Sequence, residues 1–214
     1  MSGRCPPEAL RLTVITDPSA ALSVPAATEE ALAGGATAVQ LRWKAGSTRE
    51  LVQLGHELRR LTRSAGALLI VNDRVDVALV VGADGAHVGD DDLPLRACRR
   101  LVPPQFFLGR SVDTRQEAIA AEAAGADYVG FGPIFSTGSK DGLGTAVGIA
   151  AIAEVKRAIS IPLVAIGGIT AAQARAIAAA GADGVAVIAA VMGSGTPRAA
   201  AAELAREFAA GVQV

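Results

Sequence analysis

The sequence predicts a single-domain α/β protein, a closed (β/α)8 TIM barrel, and three observations carry that reading. A Gly-Ala refrain returns four times, as GATAV at 35–39, GADGAHV at 82–88, GADYV at 125–129 and GADGV at 181–185. Its glycines stand 47, 43 and 56 residues apart, about the length of two βα units each time. Further apolar runs lie between the copies, LTVIT at 12–16, ALLIV at 67–71, FFLG at 106–109 and IPLVAI at 161–166. Together they make eight strand candidates alternating with helical stretches, and such barrels do their chemistry at the C-terminal face.

An N-terminal tail, residues 1–11, precedes β1 at 12–16, and the barrel domain is expected to occupy 12–214. The first refrain closes a helix at 25–34 and opens β2 at 37–42. Its Gly supplies the left-handed residue that stops the helix, and its Ala lets the loop pack against the strand. A helix at 47–64 starts on Ser47-Thr48-x-Glu50, the pattern of a capping box. β3 at 67–72 and a helix at 73–81 follow, and the second refrain opens β4 at 85–89. Leu93-Pro94, behind three aspartates, marks the start of a helix at 93–101. β5 at 106–110 and a helix at 114–124 lead to the third refrain and β6 at 127–131. Residues 132–148, GPIFSTGSKDGLGTAVG, form the one long irregular stretch, a length typical of lids and binding loops. A helix at 148–158, β7 at 161–166 and a helix at 170–180 precede the fourth refrain and β8 at 183–188. Thr196-Pro197 begins the last helix, 196–209.

Composition narrows the function classes. The 214 residues are few for this barrel but enough for one core; 51% are hydrophobic and 3% aromatic, which suits tight helix–sheet packing by Ala, Val, Leu and Ile. The formal net charge is −1 and no basic run exceeds a pair, so nucleic acid has little electrostatic purchase. Cys5 and Cys98 suggest neither a disulfide nor a metal pattern. MSGRCPPEALR lacks the apolar stretch of a signal peptide, and no apolar run approaches a membrane span. A cytoplasmic protein with small-molecule partners is expected, with a homo-oligomer left open. Only three of the twenty basic residues are lysines, Lys44, Lys140 and Lys156. A compact ammonium is not freely exchanged for a guanidinium at a phosphate site, which draws attention to them.

The polar residues at the predicted strand ends suggest a site. In QLRWK at the end of β2, alternation sends Gln40, Arg42 and Lys44 to one side and Leu41 and Trp43 to the other. Asn72 and Asp73 end β3, and Asp92 follows β4. Each aspartate also reads as a helix N-cap, but two carboxylates on adjacent strand tops beside cations suit a Mg²⁺ carrying phosphate oxygens. His87, inside β4, reads as a hydrogen-bonded structural residue, and His56 sits on a helix face. Ser111 stands at the mouth after β5. The glycines after β7 and the GSG that follows β8 fit the recurrent phosphate cradle of these barrels.

Taken together, QLRWK, VNDRVDVAL, GADGAHVGDDDLP, GRSVDT, GADYVGFGPIFSTGSK, VAIGGIT and GADGVAVI resemble the thiamine-phosphate synthase family, nearly end to end. GPIFSTGSK and QLRxK in this order and spacing carry most of the likeness. The resemblance implies a transferase that joins 4-amino-2-methyl-5-pyrimidinylmethyl diphosphate to a (carboxy)thiazole phosphate. It implies that Gln40, Arg42, Lys44 and Asn72 hold the pyrimidine diphosphate, that Asp73 and Asp92 hold Mg²⁺, and that Ser111 touches the pyrimidine side. Thr137, Ser139 and Lys140 would engage the thiazole phosphate and the leaving diphosphate. Gly168, Ile188 and Ala189 would complete the thiazole phosphate cradle, and Arg42, Lys44, Ser111 and Lys140 would be the catalytic set. Three positions depart from the family pattern: Asp90 stands for Gln, Asp113 for His and Ala189 for Ser. The family's tautomerase paralogue uses a His at position 113 as its acid/base, so Asp113 bears on the choice between them. A thiazole tautomerase and a non-catalytic phosphate-binding barrel stay open at this point.

Overall fold

The computed structural model describes residues 5–136 and 145–212. Eight parallel strands close into a barrel in chain order, β8 pairing back onto β1. They are β1 Leu12–Ile15, β2 Ala38–Leu41, β3 Leu68–Asn72, β4 Gly85–Val88, β5 Phe107–Val112, β6 Tyr128–Phe131, β7 Leu163–Ile166 and β8 Gly184–Val187. Around them lie α1 Val24–Ala33, α2 Thr48–Ala65, α3 Val75–Val80, α4 Leu95–Leu101, α5 Arg115–Ala123, α6 Ala150–Lys156, α7 Ala171–Ala179, the single turn α8 Ala189–Met192, and α9 Pro197–Ala209. The barrel and its eight βα steps are those expected, with shifts of a few residues at element ends. No described helix is long and apolar enough to cross a membrane.

Alternation sorts each strand into two layers. Val14, Val39, Leu69, Val71, Leu108, Val129, Leu163 and Val185 pack outward beneath the helices in one apolar layer. Ile15, Ala38, Leu68, Phe107, Tyr128, Val164 and Ala186 point into the barrel. The segment expected as a tail is packed in its described part: Pro7–Leu10 is a 3-10 helix, and Cys5 and Leu10, each 1% exposed, join that inner layer. The Leu10 carbonyl occupies the space where Gly184 would carry a side chain. Burial pushes the Cys5 thiol up to about 12, so its sulfur is an inert part of the core.

The refrain has a second task that its glycines do not reveal. Its third residue ties each even strand to the odd strand before it. Asp84 Oδ2 accepts from the Leu69 N–H at 2.8 Å, Asp127 Oδ2 from the Leu108 N–H at 2.7 Å, and Asp183 Oδ2 from the Leu163 N–H at 2.7 Å. In the first copy Thr37 Oγ1 does the same for the Leu12 N–H at 3.0 Å. Each carboxylate also takes a cation from the preceding even helix: Arg59 on Asp84, Arg99 on Asp127, and Lys156 on Asp183. Lys156 is thereby accounted for at the opposite end of the barrel from the strand tops. Asp127→Ala should leave the Leu108 amide without its acceptor and the partly buried Arg99 without its ion pair. It should destabilise the protein by about 2 kcal/mol in chemical denaturation, with Asp127→Asn losing less because it keeps an acceptor.

Candidate active site at the C-terminal mouth

The strand ends surround a cavity of about 490 Å³ that reaches from the mouth down into the barrel. From β2, Gln40 is 6% exposed and lines it, while Leu41 and Trp43 join the outer layer. Arg42 and Lys44 lie beyond the strand, on the cavity wall. Thr16 pins the Arg42 backbone, its Oγ1 donating to the Arg42 carbonyl at 3.0 Å and accepting from the Arg42 N–H at 2.9 Å.

Asn72 ends β3 and lines the cavity; Asp73 follows with a φ of 62°, a left-handed conformation that Asp tolerates better than most residues. Its N–H donates to the His87 carbonyl at 2.8 Å, which ties the tops of β3 and β4 together. This turn is why the helix starts at Val75 rather than at residue 73. Neither carboxylate caps a helix: α3 and α4 have Arg74 and Pro94 at their N-caps without side-chain bonds. Asp92 Oδ2 instead accepts from the Gly89 N–H at 2.7 Å. Burial, a hydrogen bond with Asp92 and the Asp92 charge push the Asp73 carboxyl up to about 6, against the pull of Lys44 and Arg42. Asp92, Lys44 and Arg42 therefore all bear on Asp73 in one place.

Asp90, the first departure, does not add an uncompensated charge. It pairs with Arg110, which also donates to the Gly89 carbonyl. Asp113 is not the cap of α5; that is Thr114, whose Oγ1 accepts from the Glu117 N–H at 3.2 Å. Glu117 accepts from the Asp113 N–H at 2.9 Å, and its hydrogen bond and charge, with burial, hold the Asp113 carboxyl above its ordinary value. Thr114→Ala should cost about 1 kcal/mol of stability and Asp113→Ala much less, as thermal melts of the two variants would show.

After β7, Gly167 and Gly168 have φ of 100° and 63°. A Cβ on Gly168 would lie 2.6 Å from the Ser136 carbonyl, so the chain after β6 packs directly on this glycine. Ile188 precedes the short α8 and, with Ala189, lines the cavity; no side chain caps that turn. Thr137, Ser139 and Lys140 lie outside the described residues.

The deep end holds groups that the sequence did not single out as ligands. His87 is hydrogen-bonded as expected, Nδ1 to the Tyr128 hydroxyl at 3.1 Å and Nε2 to Ser111 Oγ at 3.0 Å, but it also lines the cavity. Gly109 and Gly130 leave the room this pair occupies. Thr13 Oγ1 is buried in the same wall without a hydrogen-bond partner among the described residues. Period-two alternation from Gly130 and Ile15 could have placed Tyr128 and Thr13 inward. Among the described residues no three His, Cys, Asp or Glu side chains gather as a metal site; Asp73 and Asp92 interact as a pair. A second cavity of about 510 Å³, outside the barrel beside α1 and α9, brings only Glu30 and Arg198 as charged groups.

A parallel barrel whose mouth joins two carboxylates, a guanidinium, an ammonium and glycine-rich turns after β7 defines a TIM-barrel enzyme handling phosphorylated small molecules. The chain belongs to the thiamine monophosphate synthase family, whose model matches residues 12–191. It is 53% identical over 180 residues to a thiamine-phosphate synthase of Methanoculleus marisnigri, covering 84% of this chain and 85% of that one. It is also 53% identical over 174 residues to the synthase of Moorella thermoacetica, covering 81% and 83%. Among solved structures it is similar to the thiamine phosphate pyrophosphorylase of Pyrococcus furiosus, with a TM-score of 0.89, 41% identity and coverage of 95% and 97%.

Proposed function

We propose that this enzyme is a thiamine-phosphate synthase, joining a pyrimidinylmethyl diphosphate to a (carboxy)thiazole phosphate. The observation that carries the reading is the meeting of Asp73 and Asp92 with Arg42 and Lys44 in one cavity. Loss of diphosphate breaks the methylene C–O bond, and the electron pair leaves on oxygen. The pyrimidinylmethyl cation left behind is stabilised by the ring's amino group, and the thiazole nitrogen attacks it to form the C–N bond. Such chemistry asks the protein to orient two substrates and neutralise a leaving group, with no strong base.

Gln40, Arg42, Lys44 and Asn72 would hold the pyrimidine diphosphate, and Ser111 would meet its ring. Thr137, Ser139 and Lys140 would engage the thiazole phosphate and the departing diphosphate, and Gly168, Ile188 and Ala189 would offer backbone groups to the thiazole phosphate. The donor set at Asp73 and Asp92 is oxygen only, and two carboxylates leave positions that diphosphate oxygens would fill, which fits Mg²⁺. Mg²⁺ bound there would offset the charge that develops on the leaving diphosphate. A cytoplasmic location belongs to the same reading. The test is to mix both substrates with Mg²⁺ and follow thiamine phosphate and diphosphate together. Isomerisation of a thiazole phosphate without diphosphate release would replace the synthase reading with the tautomerase one.

A further inference from the structure

The polar chain at the bottom of the cavity has a direction. Tyr128 is 4% exposed, and burial raises its phenol far above the ordinary value, so it keeps its proton. Among the described residues the one hydrogen-bond partner of its hydroxyl is His87 Nδ1, at 3.1 Å. A buried O–H without an acceptor is worse than an unused lone pair, so the phenol donates and Nδ1 accepts. The ring proton then sits on Nε2, 3.0 Å from Ser111 Oγ, and Nε2–H donates to it. A doubly protonated ring would present an N–H to the phenol oxygen and strand the phenol hydrogen. Ser111 would then accept one hydrogen bond from behind, which leaves its own hydrogen free to donate, and Ser111 lines the cavity.

We infer that His87 is a positioning residue: held by Tyr128 in the Nε2–H tautomer, it makes the Ser111 hydroxyl a fixed hydrogen-bond donor toward an acceptor atom of the bound heterocycle. The identity of that heterocycle, a pyrimidine with unprotonated ring nitrogens, rests on the synthase reading; the direction of the chain does not. Gly109 and Gly130 belong to the same device, because a side chain on Gly109 would displace both rings and one on Gly130 would press on the imidazole. The site thereby selects a ring that presents a lone pair to Ser111 over one that presents N–H or C–H, whose hydrogen would meet the hydroxyl hydrogen.

The chain has two histidines, and His56 is exposed on α2, so side-chain spectra of histidine-¹⁵N-labelled protein contain two sets of signals. A His56→Gln variant assigns them. At one neutral pH, His87 should show the neutral Nε2–H pattern; an Nδ1–H or doubly protonated ring would overturn the inference. Tyr128→Phe keeps the ring and removes the donor. It should introduce the Nδ1–H form of His87 and raise the Kd for the pyrimidine diphosphate, read by calorimetry, by about 3- to 10-fold, leaving the thiazole phosphate Kd unchanged. In a Ser111→Ala background the same substitution should add nothing, and an undiminished effect there would make Tyr128 merely structural and sink the proposal. Failure of the wild-type enzyme to form thiamine phosphate would remove the synthase reading and leave the tautomer result standing.

Discussion

Asp73→Asn and Asp92→Asn should each lower coupling by more than about 10²-fold, the loss expected when a metal ligand itself is removed. Both side chains belong to loops at the strand tops, so the barrel should persist. An asparagine tolerates the left-handed backbone at position 73, and the amide oxygen that Asp92→Asn introduces would still accept from the Gly89 N–H. The pH dependence separates a metal role from a structural one. Asp73 titrates at about 6 in the folded chain, above the ordinary value of 3.8, chiefly because it is buried against Asp92. For an acid raised by folding, the unfolded chain ionises first. Native stability is therefore fullest below 3.8 and is lost as pH rises through about 6. Above that pH Asp73→Asn should melt higher than the metal-free wild type, while its activity is gone. Mg²⁺ should raise the wild-type melting temperature at a pH of about 7.5, and its affinity should fall about tenfold per pH unit below about 6. Full turnover in EDTA, or in Asp73→Asn, would end the case for a metal-assisted diphosphate departure.

The barrel was legible because its outer layer repeats a simple instruction. Each Gly-Ala stops a helix and each apolar run after it fills a strand, so the boundaries fall near the observed ones. The refrain's aspartates were less legible, because their partners, Leu69, Leu108 and Leu163, lie 15 to 20 residues away and meet them only when the strands pair. Local pattern also offered caps that the structure does not use. Asp73 and Asp92 have a capping residue type in a capping place, yet a left-handed turn and a loop-internal bond claim them instead. Gln40 was readable from alternation, since a strand forces every second side chain to one face, but β2 ends at Leu41, so alternation does not account for the place of Arg42 and Lys44 on the cavity wall. His87 was read as structural because a lone His in a strand carries no signal of what it faces. Only the closed barrel brings β5 and β6 to its two nitrogens. The 3-10 helix and α8 are too short to carry a period.

Arg42→Ala should slow turnover by about 10²–10³-fold, because contact with a developing anion contributes about 2–4 kcal/mol in the transition state. The guanidinium is suited to this task by its anchoring. Its backbone is clamped to β1 through Thr16, so the side chain leaves the strand end from a fixed point. It also lies near enough to Asp73 to pull that carboxyl down, which places it beside the proposed metal and diphosphate together. Arg42→Lys keeps the charge but loses the planar fork, and should recover part of the lost rate. Removing the cation should let the Asp73 carboxyl rise above about 6, so the acid limb of the Arg42→Ala kcat profile should move to higher pH. Two separate signatures are thus expected from one substitution, a lower plateau and a displaced limb. An unchanged kcat with a raised KM would mean that Arg42 only anchors substrate. A lower kcat with an unmoved acid limb would mean that Arg42 and Asp73 do not share one electrostatic site.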